Sequence, residues 1–287
     1  MSRLPDYLEG AVDLHVHSAP DIDRRRFDDL ELARAAKDAG VGAILIKSHQ
    51  NSTVERAWLV SRCVPGIRVH GGLVLNETVG GLNPAAVRLA LALGARQIWM
   101  PTRSSRNHRE YHGQPGGISI LDGQGKLLTA VEEILDSMAR SDAILGTGHL
   151  SPEETSVLID AALSRDLSKI LVTHPEWGPT YHSCAAQKEL AERGNIFFER
   201  CFVSTTHLCG HVPFETIERA IIETGIDHTI LSTDLGQPET PPPAEGLRLY
   251  AERLRATGFS VDQIRCMMQA NPERLLAHST EPLCQLF

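Results

Sequence analysis

Eight short apolar segments recur along the chain, and residues with helix-forming signals follow each of them. The predicted strands cover residues 11–15, 41–47, 67–75, 97–101, 143–148, 169–173, 196–201 and 229–233. Strands that alternate with helices pair in parallel, and eight such units close into a (β/α)8 barrel, for which 287 residues is a usual length. We therefore predict a single TIM-barrel domain over residues 1–287, with extra C-terminal helices. The alternative is an open doubly wound sheet, which normally carries a glycine-rich loop after its first strand, and this sequence lacks that loop.

Capping signals mark several helix boundaries. Asp28 is predicted to cap a helix over residues 30–39. Ser52 and Ser151 each stand three residues before a glutamate, which predicts a capping box at the start of the following helix. Residues 103–128 break the rhythm of strands and helices, and they predict a long polar loop of the kind that is often functional.

The composition limits the classes of function. The hydrophobic content of 42% is ordinary for a globular protein, and the net charge of −8 offers no basic face for a nucleic acid. The sequence has no run of 18 apolar residues, so we expect no membrane span. The first residues lack the apolar core of a signal peptide. The six cysteines include no Cys-x-x-Cys pair, which predicts reduced thiols and a cytoplasmic location.

Residues 12–18, Val-Asp-Leu-His-Val-His-Ser, place two histidines two positions apart at the end of the first strand. Successive side chains of a strand point to opposite faces, so His15 and His17 are predicted to emerge on the same face. Two adjacent imidazoles can hold one divalent cation. This pair alone is weak evidence for a metal, and the interpretation depends on the residues that join it.

Polar side chains also follow the C-terminal ends of the other strands, where barrel enzymes build their active sites. The residues at these ends are His15, His17, Lys47, His49, Asn76, Thr102, Arg103, His149, His174, Glu199 and Asp234. So many imidazoles, together with an aspartate and a lysine on one rim, predict a divalent-metal site. Zinc or a similar first-row cation suits such ligands.

Four of these segments resemble the amidohydrolase superfamily, whose members are metal-dependent hydrolases on a distorted (β/α)8 barrel. The family pattern is His-x-His on strand one, His on strands five and six, and Asp on strand eight. It is matched in order by His15 and His17, by His149 in Gly-Thr-Gly-His, by His174 in Val-Thr-His-Pro and by Asp234 in Ser-Thr-Asp-Leu-Gly. The resemblance covers essentially the whole chain. It implies that His15, His17 and Asp234 hold one metal and that His149 and His174 hold a second.

Lys47 marks a departure from this pattern. Two-metal members usually supply a bridging carboxylated lysine or a glutamate from strand four, but strand four here, Gln-Ile-Trp-Met-Pro-Thr, has neither. We hypothesise that Lys47, at the end of strand two, is carboxylated and bridges two metals. The alternatives are an ordinary ammonium that binds an acidic substrate and a buried ion pair. With one metal per chain, His174 or His149 becomes free to polarise the substrate or to move protons.

The resemblance implies that Asp234 and His174 are catalytic, with Asp234 accepting a proton from the attacking water and passing it to the leaving group. We expect His49, Arg103, Arg106 and His207 to bind substrate, because arginine suits carboxylates and phosphates. The predicted reaction is hydrolysis of an amide, cyclic amide or lactone in a small, anionic molecule. Barrels of this type often pair, so a homo-oligomer is also an expectation.

Two other enzyme classes stay open. The first is a PHP-like phosphoesterase, since that family begins with a similar His-x-His and carries a histidine on strand two, as His49 does here. However, Lys-Ser-His and Asp-Leu-Gly depart from that family's usual motifs. The second is a single-metal decarboxylase of the amidohydrolase superfamily. A non-enzymatic metal-binding protein is a further alternative.

Overall fold

Eight parallel strands form a nearly closed barrel in the computed structural model, which describes residues 7–277. The strands are β1 (Val12–Val16), β2 (Ala43–Ile46), β3 (Arg68–Val74), β4 (Gln97–Trp99), β5 (Ile144–Gly146), β6 (Ile170–Thr173), β7 (Ile196–Cys201) and β8 (Thr229–Ser232). Each strand pairs with the next one along the chain. The predicted (β/α)8 barrel is confirmed. The single domain over residues 1–287 and the absence of a signal peptide stay predictions, because residues 1–6 and 278–287 lie outside the described part of the chain.

The barrel closes between β1 and the turn that follows β8. The backbone N–H of His17 donates to the carbonyl of Leu235 at 2.8 Å, and the N–H of Asp234 donates to the carbonyl of His15 at 2.7 Å. An isolated parallel bridge joins Val16 and Leu235. This seam places the ends of β1 and β8 side by side.

Helices surround the barrel and continue after it, as predicted. They are α1 (Asp29–Asp38), α2 (Val54–Cys63), α3 (Pro84–Ala92), α4 (Arg106–Tyr111), α5 (Thr129–Met138), α6 (Pro152–Leu163), α7 (Cys184–Arg193), α8 (Phe214–Thr224), α9 (Pro243–Ala256), α10 (Val261–Arg265) and α11 (Asn271–Leu276). A π-helical turn at Cys266–Ala270 joins α10 to α11, just before Pro272. Across residues 7–277, no helix combines the length and the apolar composition that crossing a membrane requires.

Two details of the helix predictions are wrong. The capping box predicted at Ser52 does not start α2, because Thr53 is the N-cap residue. The Thr53 hydroxyl donates instead to the carbonyl of Ile46 at 2.6 Å, which ties the turn to the end of β2. The other error is α4, a short helix inside residues 103–128, which were predicted as loop. The N-cap predicted at Asp28 and the capping box predicted at Ser151 are confirmed.

Trp99 fills the barrel interior beneath the C-terminal rim, and its side chain is fully buried. Glycines on the neighbouring strands make room for it. A Cβ atom added at Gly72 or at Gly146 would lie 2.6 Å from the indole ring. The indole ring centroid lies 6.2 Å from the ring centroid of His15 and 5.4 Å from Lys47 Nζ. The indole therefore packs directly beneath the polar residues of the C-terminal rim.

Candidate metal centre

Asp234 lies among several imidazoles at the C-terminal end of the barrel. Its Oδ1 atom is 3.0 Å from His15 Nε2 and 2.9 Å from His17 Nε2. Its Oδ2 atom is 3.6 Å from His174 Nε2. Lys47 Nζ lies 2.9 Å from His15 Nε2. The structure thus brings these predicted ligands, which lie far apart in the sequence, into one cluster.

Local backbone conformation aims the two ligands that follow β6 and β8. His174 and Asp234 have φ angles of 31° and 53°, which lie in the left-handed region that side chains other than glycine rarely adopt. Each residue comes soon after its strand ends, so a sharp turn directs its side chain across the rim. Such conformations persist only where the surrounding structure holds them, and they are concentrated at functional sites.

The charge states of the cluster suit a cation except at His15, where the opposing effect of burial is outweighed by Asp234, which raises the pKa of a ring that binds a metal only in its neutral form. Burial lowers the pKa values of His17, His149 and His174 well below the ordinary value for histidine, so these rings are neutral at pH 7. Burial opposes ionisation of Asp234, but His15 and His17 outweigh it and hold the pKa of this carboxyl well below its usual range. Neutral imidazoles and a carboxylate are the protonation states that bind a metal.

The spacing of the donor atoms also fits a metal. One ligand atom each from His15, His174 and Asp234 lies within 4.8 Å of the other two. Donors around tetrahedral zinc lie about 2.0–2.2 Å from the ion and hence roughly 3.3–3.6 Å from one another. The contacts of Asp234 with the imidazoles, at 2.9 to 3.6 Å, are close to that spacing. The residues present therefore fit a divalent cation.

Glu199 supports the cluster from behind. Its carboxylate is fully buried, and its Oε2 atom accepts from His15 Nδ1 at 3.1 Å. Ser232 Oγ donates to the other oxygen at 3.0 Å. Metal-binding histidines commonly donate their second ring N–H to a carboxylate, which leaves the other nitrogen as a lone-pair donor. Cys201 Sγ lies 3.7 Å from the same Nδ1 atom of His15, so His15, Glu199 and Cys201 form a second close group.

His149 occupies the next position along the rim. Its ring centroid lies 5.0 Å from that of His174, and its Nδ1 atom lies 2.9 Å from Nδ1 of His108 on α4. The indole of Trp177 packs against His149 and His174, with centroids 5.0 Å and 5.2 Å away. His149 thus borders the cluster, and its role in a second metal site stays a prediction.

A cavity of about 290 Å³ opens above the cluster. Arg25, Arg103 and Gln237 contribute polar groups to its lining, and Trp177 and Leu208 contribute apolar surface. The cavity is large enough for a small molecule, and it has both charged and apolar surface to orient one.

The predicted substrate-binding residues divide into two groups. His49 and Arg103 line the cavity, whereas Arg106 and His207 are exposed and are not among its lining residues. Their part in substrate binding stays a prediction. Sequence reasoning missed Arg25, which lines the cavity and pairs with Asp21 at 2.8 Å. The only sequence signal is the run Asp-Ile-Asp-Arg-Arg-Arg soon after β1.

The (β/α)8 fold that the resemblance to the amidohydrolase superfamily implies is confirmed, and several solved structures share this fold. The structure is similar to that of an amidohydrolase from Pseudomonas aeruginosa, with a TM-score of 0.66 and 13% identity over 94% of this chain and 96% of that chain. It is also similar to an organophosphorus hydrolase from Deinococcus radiodurans, with a TM-score of 0.60 and 16% identity over 96% of this chain and 94% of that chain. A probable dipeptidase, PvdM, from Pseudomonas aeruginosa has a TM-score of 0.66 and 9% identity over 92% of this chain and 94% of that chain.

The sequence itself places the chain in one family. The model of DUF6282, described as a family of unknown function, matches residues 10–199, and the chain belongs to this family. No curated protein matches the chain.

The Glu199 contact generates a first prediction. Replacing Glu199→Gln leaves a neutral acceptor opposite His15 Nδ1, so we expect zinc affinity to fall by about 10- to 100-fold. Competition with a chromophoric chelator measures this. Ser232→Ala is the matched control, because it removes one donor to Glu199 but keeps the carboxylate, and we expect a smaller loss. Equal affinity in Glu199→Gln and the unaltered protein, with the fold retained, contradicts this role for Glu199.

Proposed function

We propose that this chain is a metal-dependent hydrolase that cleaves a C–N or C–O bond in a small, anionic amide, cyclic amide or lactone. The observation that carries the proposal is the contact of the Asp234 carboxylate with His15, His17 and His174 below an open cavity. A divalent cation, with zinc the best match to nitrogen and oxygen donors, supplies Lewis acidity and lowers the pKa of a water nucleophile.

The residues around the cluster divide the remaining tasks. Asp234 accepts a proton from the attacking water at a carboxylate oxygen and passes it to the leaving group as the scissile bond breaks. His174, 3.6 Å from Asp234 Oδ2, is placed to share that proton. Trp177 packs against His174 and limits the entry of bulk water on that side.

Removing the Asp234 carboxylate tests this division of tasks. We expect Asp234→Asn to lower kcat by about 10²–10⁴-fold, because the proton acceptor is lost, while His15 and His17 still retain some metal. The assay uses purified protein on panels of lactones, amides, phosphoesters and aromatic acids, with metal content measured in parallel. Chelated protein is the control and should be inactive until metal is restored.

Three results would overturn the proposal. The first is full activity in Asp234→Asn, and the second is chelated protein as active as untreated protein. The third is turnover confined to decarboxylation of the aromatic acids, which would favour the single-metal decarboxylase.

We further propose that Lys47 is carboxylated and bridges two metals. Its side chain is buried below the cavity and is not among the lining residues, so a direct ammonium contact with an acidic substrate has less support. Burial lowers the pKa of Lys47 against the opposing effect of Asp234 and Glu199, and the neutral amine is the form that reacts with carbon dioxide. Attack of the amine nitrogen on the carbon of carbon dioxide forms an N–C bond while one C=O π pair moves to oxygen, and loss of a proton from nitrogen to solvent leaves an anionic carbamate.

Metal stoichiometry tests the carbamate. We expect two ions per chain in the unaltered protein and one in Lys47→Met, because the bridging anion is lost. Lys47→Glu is the matched control, since it restores an anion at the same position and should recover part of the second ion. Two ions per chain in Lys47→Met would rule out a bridging role.

Arg103 supports an anionic substrate, because it reaches the cavity while its guanidinium also pairs with Asp23 at 2.6 Å at the rim. We expect Arg103→Met to raise KM about 10- to 100-fold for anionic substrates and little for neutral ones, since a charge-assisted contact is lost. Arg106→Met is the comparison variant, because both arginines are exposed but Arg106 lies outside the lining of the cavity. A larger effect in Arg106→Met than in Arg103→Met would reverse the assignment.

A phosphoester is the second candidate substrate class. The similar structure described as an organophosphorus hydrolase supports it, and so do the arginines at the cavity.

For partners and location, we propose a small-molecule substrate, no nucleic acid or membrane, and a cytoplasmic protein that forms a homo-oligomer. The location rests on the cysteines, of which Cys63, Cys184, Cys201, Cys209 and Cys266 are free.

A further inference from the structure

His49 lines the cavity beside the metal cluster. Its ring is largely buried and stacks on that of His17, with centroids 5.0 Å apart. Its Nδ1 atom lies 2.9 Å from Thr102 Oγ1. Its Nε2 atom has no hydrogen-bond partner in the described part of the chain and is not fully enclosed by protein. Because His49 lines the cavity, this atom faces it. What this nitrogen offers a substrate depends on which ring nitrogen carries the proton.

The orientation of the Asn76 amide is fixed by backbone groups that can only donate or only accept a hydrogen bond. Its Oδ1 atom faces two backbone donors, the N–H of Thr102 at 2.8 Å and the N–H of Ser104 at 3.2 Å. Its Nδ2 atom faces the carbonyl of His49 at 3.0 Å, which can only accept. The same Nδ2 atom lies 2.8 Å from Thr102 Oγ1. Asn76 therefore donates to the Thr102 hydroxyl.

The hydrogen bond from Asn76 determines the direction of the hydrogen bond between the Thr102 hydroxyl and His49. The side chain is fully buried, and its contacts are Asn76 Nδ2 and His49 Nδ1. Because Asn76 occupies an acceptor position of Oγ1, His49 Nδ1 is the remaining acceptor for the hydroxyl proton. The opposite arrangement, with His49 donating to Thr102, would leave the buried hydroxyl proton without an acceptor among residues 7–277, which is costly. The chain of hydrogen bonds thus runs from Asn76 through Thr102 to His49 Nδ1.

We infer that His49 presents an Nε2–H donor to the cavity, and that in the proposed hydrolase, on which this role rests, it is a catalytic residue. When water attacks a carbonyl carbon, a new C–O bond forms and the π electron pair moves to the carbonyl oxygen. The Nε2–H group donates a hydrogen bond to that oxygen and stabilises its negative charge. As the pair returns, the C–N or C–O bond breaks, and the leaving group takes the proton held by Asp234.

A proton on Nε2 also distinguishes between two roles for His49, a hydrogen-bond donor to the substrate and a metal ligand. A metal ligand must offer a lone pair, so an imidazole with its proton on Nε2 does not bind a cation through that atom. A PHP-like phosphoesterase would use its strand-two histidine as a ligand. The Asn76–Thr102 chain therefore favours His49 as a donor and disfavours that alternative.

Nitrogen NMR of zinc-loaded protein labelled with ¹⁵N-histidine tests the tautomer directly, without any substrate. The His49 signals are identified by their loss in His49→Gln. We expect the proton on Nε2 in the unaltered protein and in Thr102→Ser, which keeps the hydroxyl. In Thr102→Val, which removes it, we expect a mixture of tautomers. A proton on Nδ1, a shift typical of metal-bound Nε2, or an unchanged tautomer in Thr102→Val would overturn the inference.

Kinetics test the catalytic role. We expect His49→Phe to lower kcat by about 10²–10³-fold, the usual effect of losing one such donor, with little change in KM or metal content. His49→Gln should recover part of the rate, because its amide N–H can lie near the position of Nε2–H. Equal losses in the two variants, or loss of metal in His49→Phe, would overturn the role. If no panel substrate is hydrolysed, the proposed function and the catalytic role both fail, and the spectra still decide the tautomer.

Discussion

The seam between β1 and the turn after β8 closes the barrel and assembles the candidate metal centre at the same time. The N–H of Asp234 donates to the carbonyl of His15, while the Asp234 carboxylate reaches back to the rings of His15 and His17. Asp13 strengthens the seam by accepting from both the N–H and the hydroxyl of Thr233, at 3.0 Å and 2.6 Å. A slip of one strand against the other would therefore separate the donor atoms, so the register of the barrel and the geometry of the cluster depend on each other.

The barrel could be predicted from sequence because its strands are buried on both faces. Strand β2, Ala-Ile-Leu-Ile, is a continuous apolar run of the kind that two-sided burial requires. Helix α4 could not be predicted in this way, because its sequence, Arg-Asn-His-Arg-Glu-Tyr, has no apolar stripe. It is held by its Ser105 cap and by the contact of His108 with His149. These contacts exist only once β5 has placed His149, so the residues themselves carry little signal for the helix.

The site also contains residues that could be predicted from the sequence and residues that could not. The histidines and Asp234 could be predicted because parallel strands bring their C-terminal ends to one rim, whatever the loops do. Arg25 could not, because three consecutive arginines look equivalent in the sequence. In the structure Arg25 turns inward and pairs with Asp21, whereas Arg26 donates to the carbonyls of Pro238 and Thr240. Such choices are made by tertiary contacts with the turn after β8, and periodicity carries no information about them.

Several histidines around the cavity are distinguished by the group that faces Nδ1. Opposite His15 it is the Glu199 carboxylate, which can only accept, so Nδ1 carries a proton and a neutral ring offers its Nε2 lone pair to a cation. Opposite His49 it is a hydroxyl already supplied with a donor by Asn76, so Nδ1 accepts and Nε2 carries the proton. Opposite His149 it is another imidazole, that of His108, so when both rings are neutral only one of the two Nδ1 atoms carries a proton. Similar imidazoles at the rim thus acquire different chemistry from the groups that face Nδ1, and those groups lie on other elements of the fold than the histidines they contact.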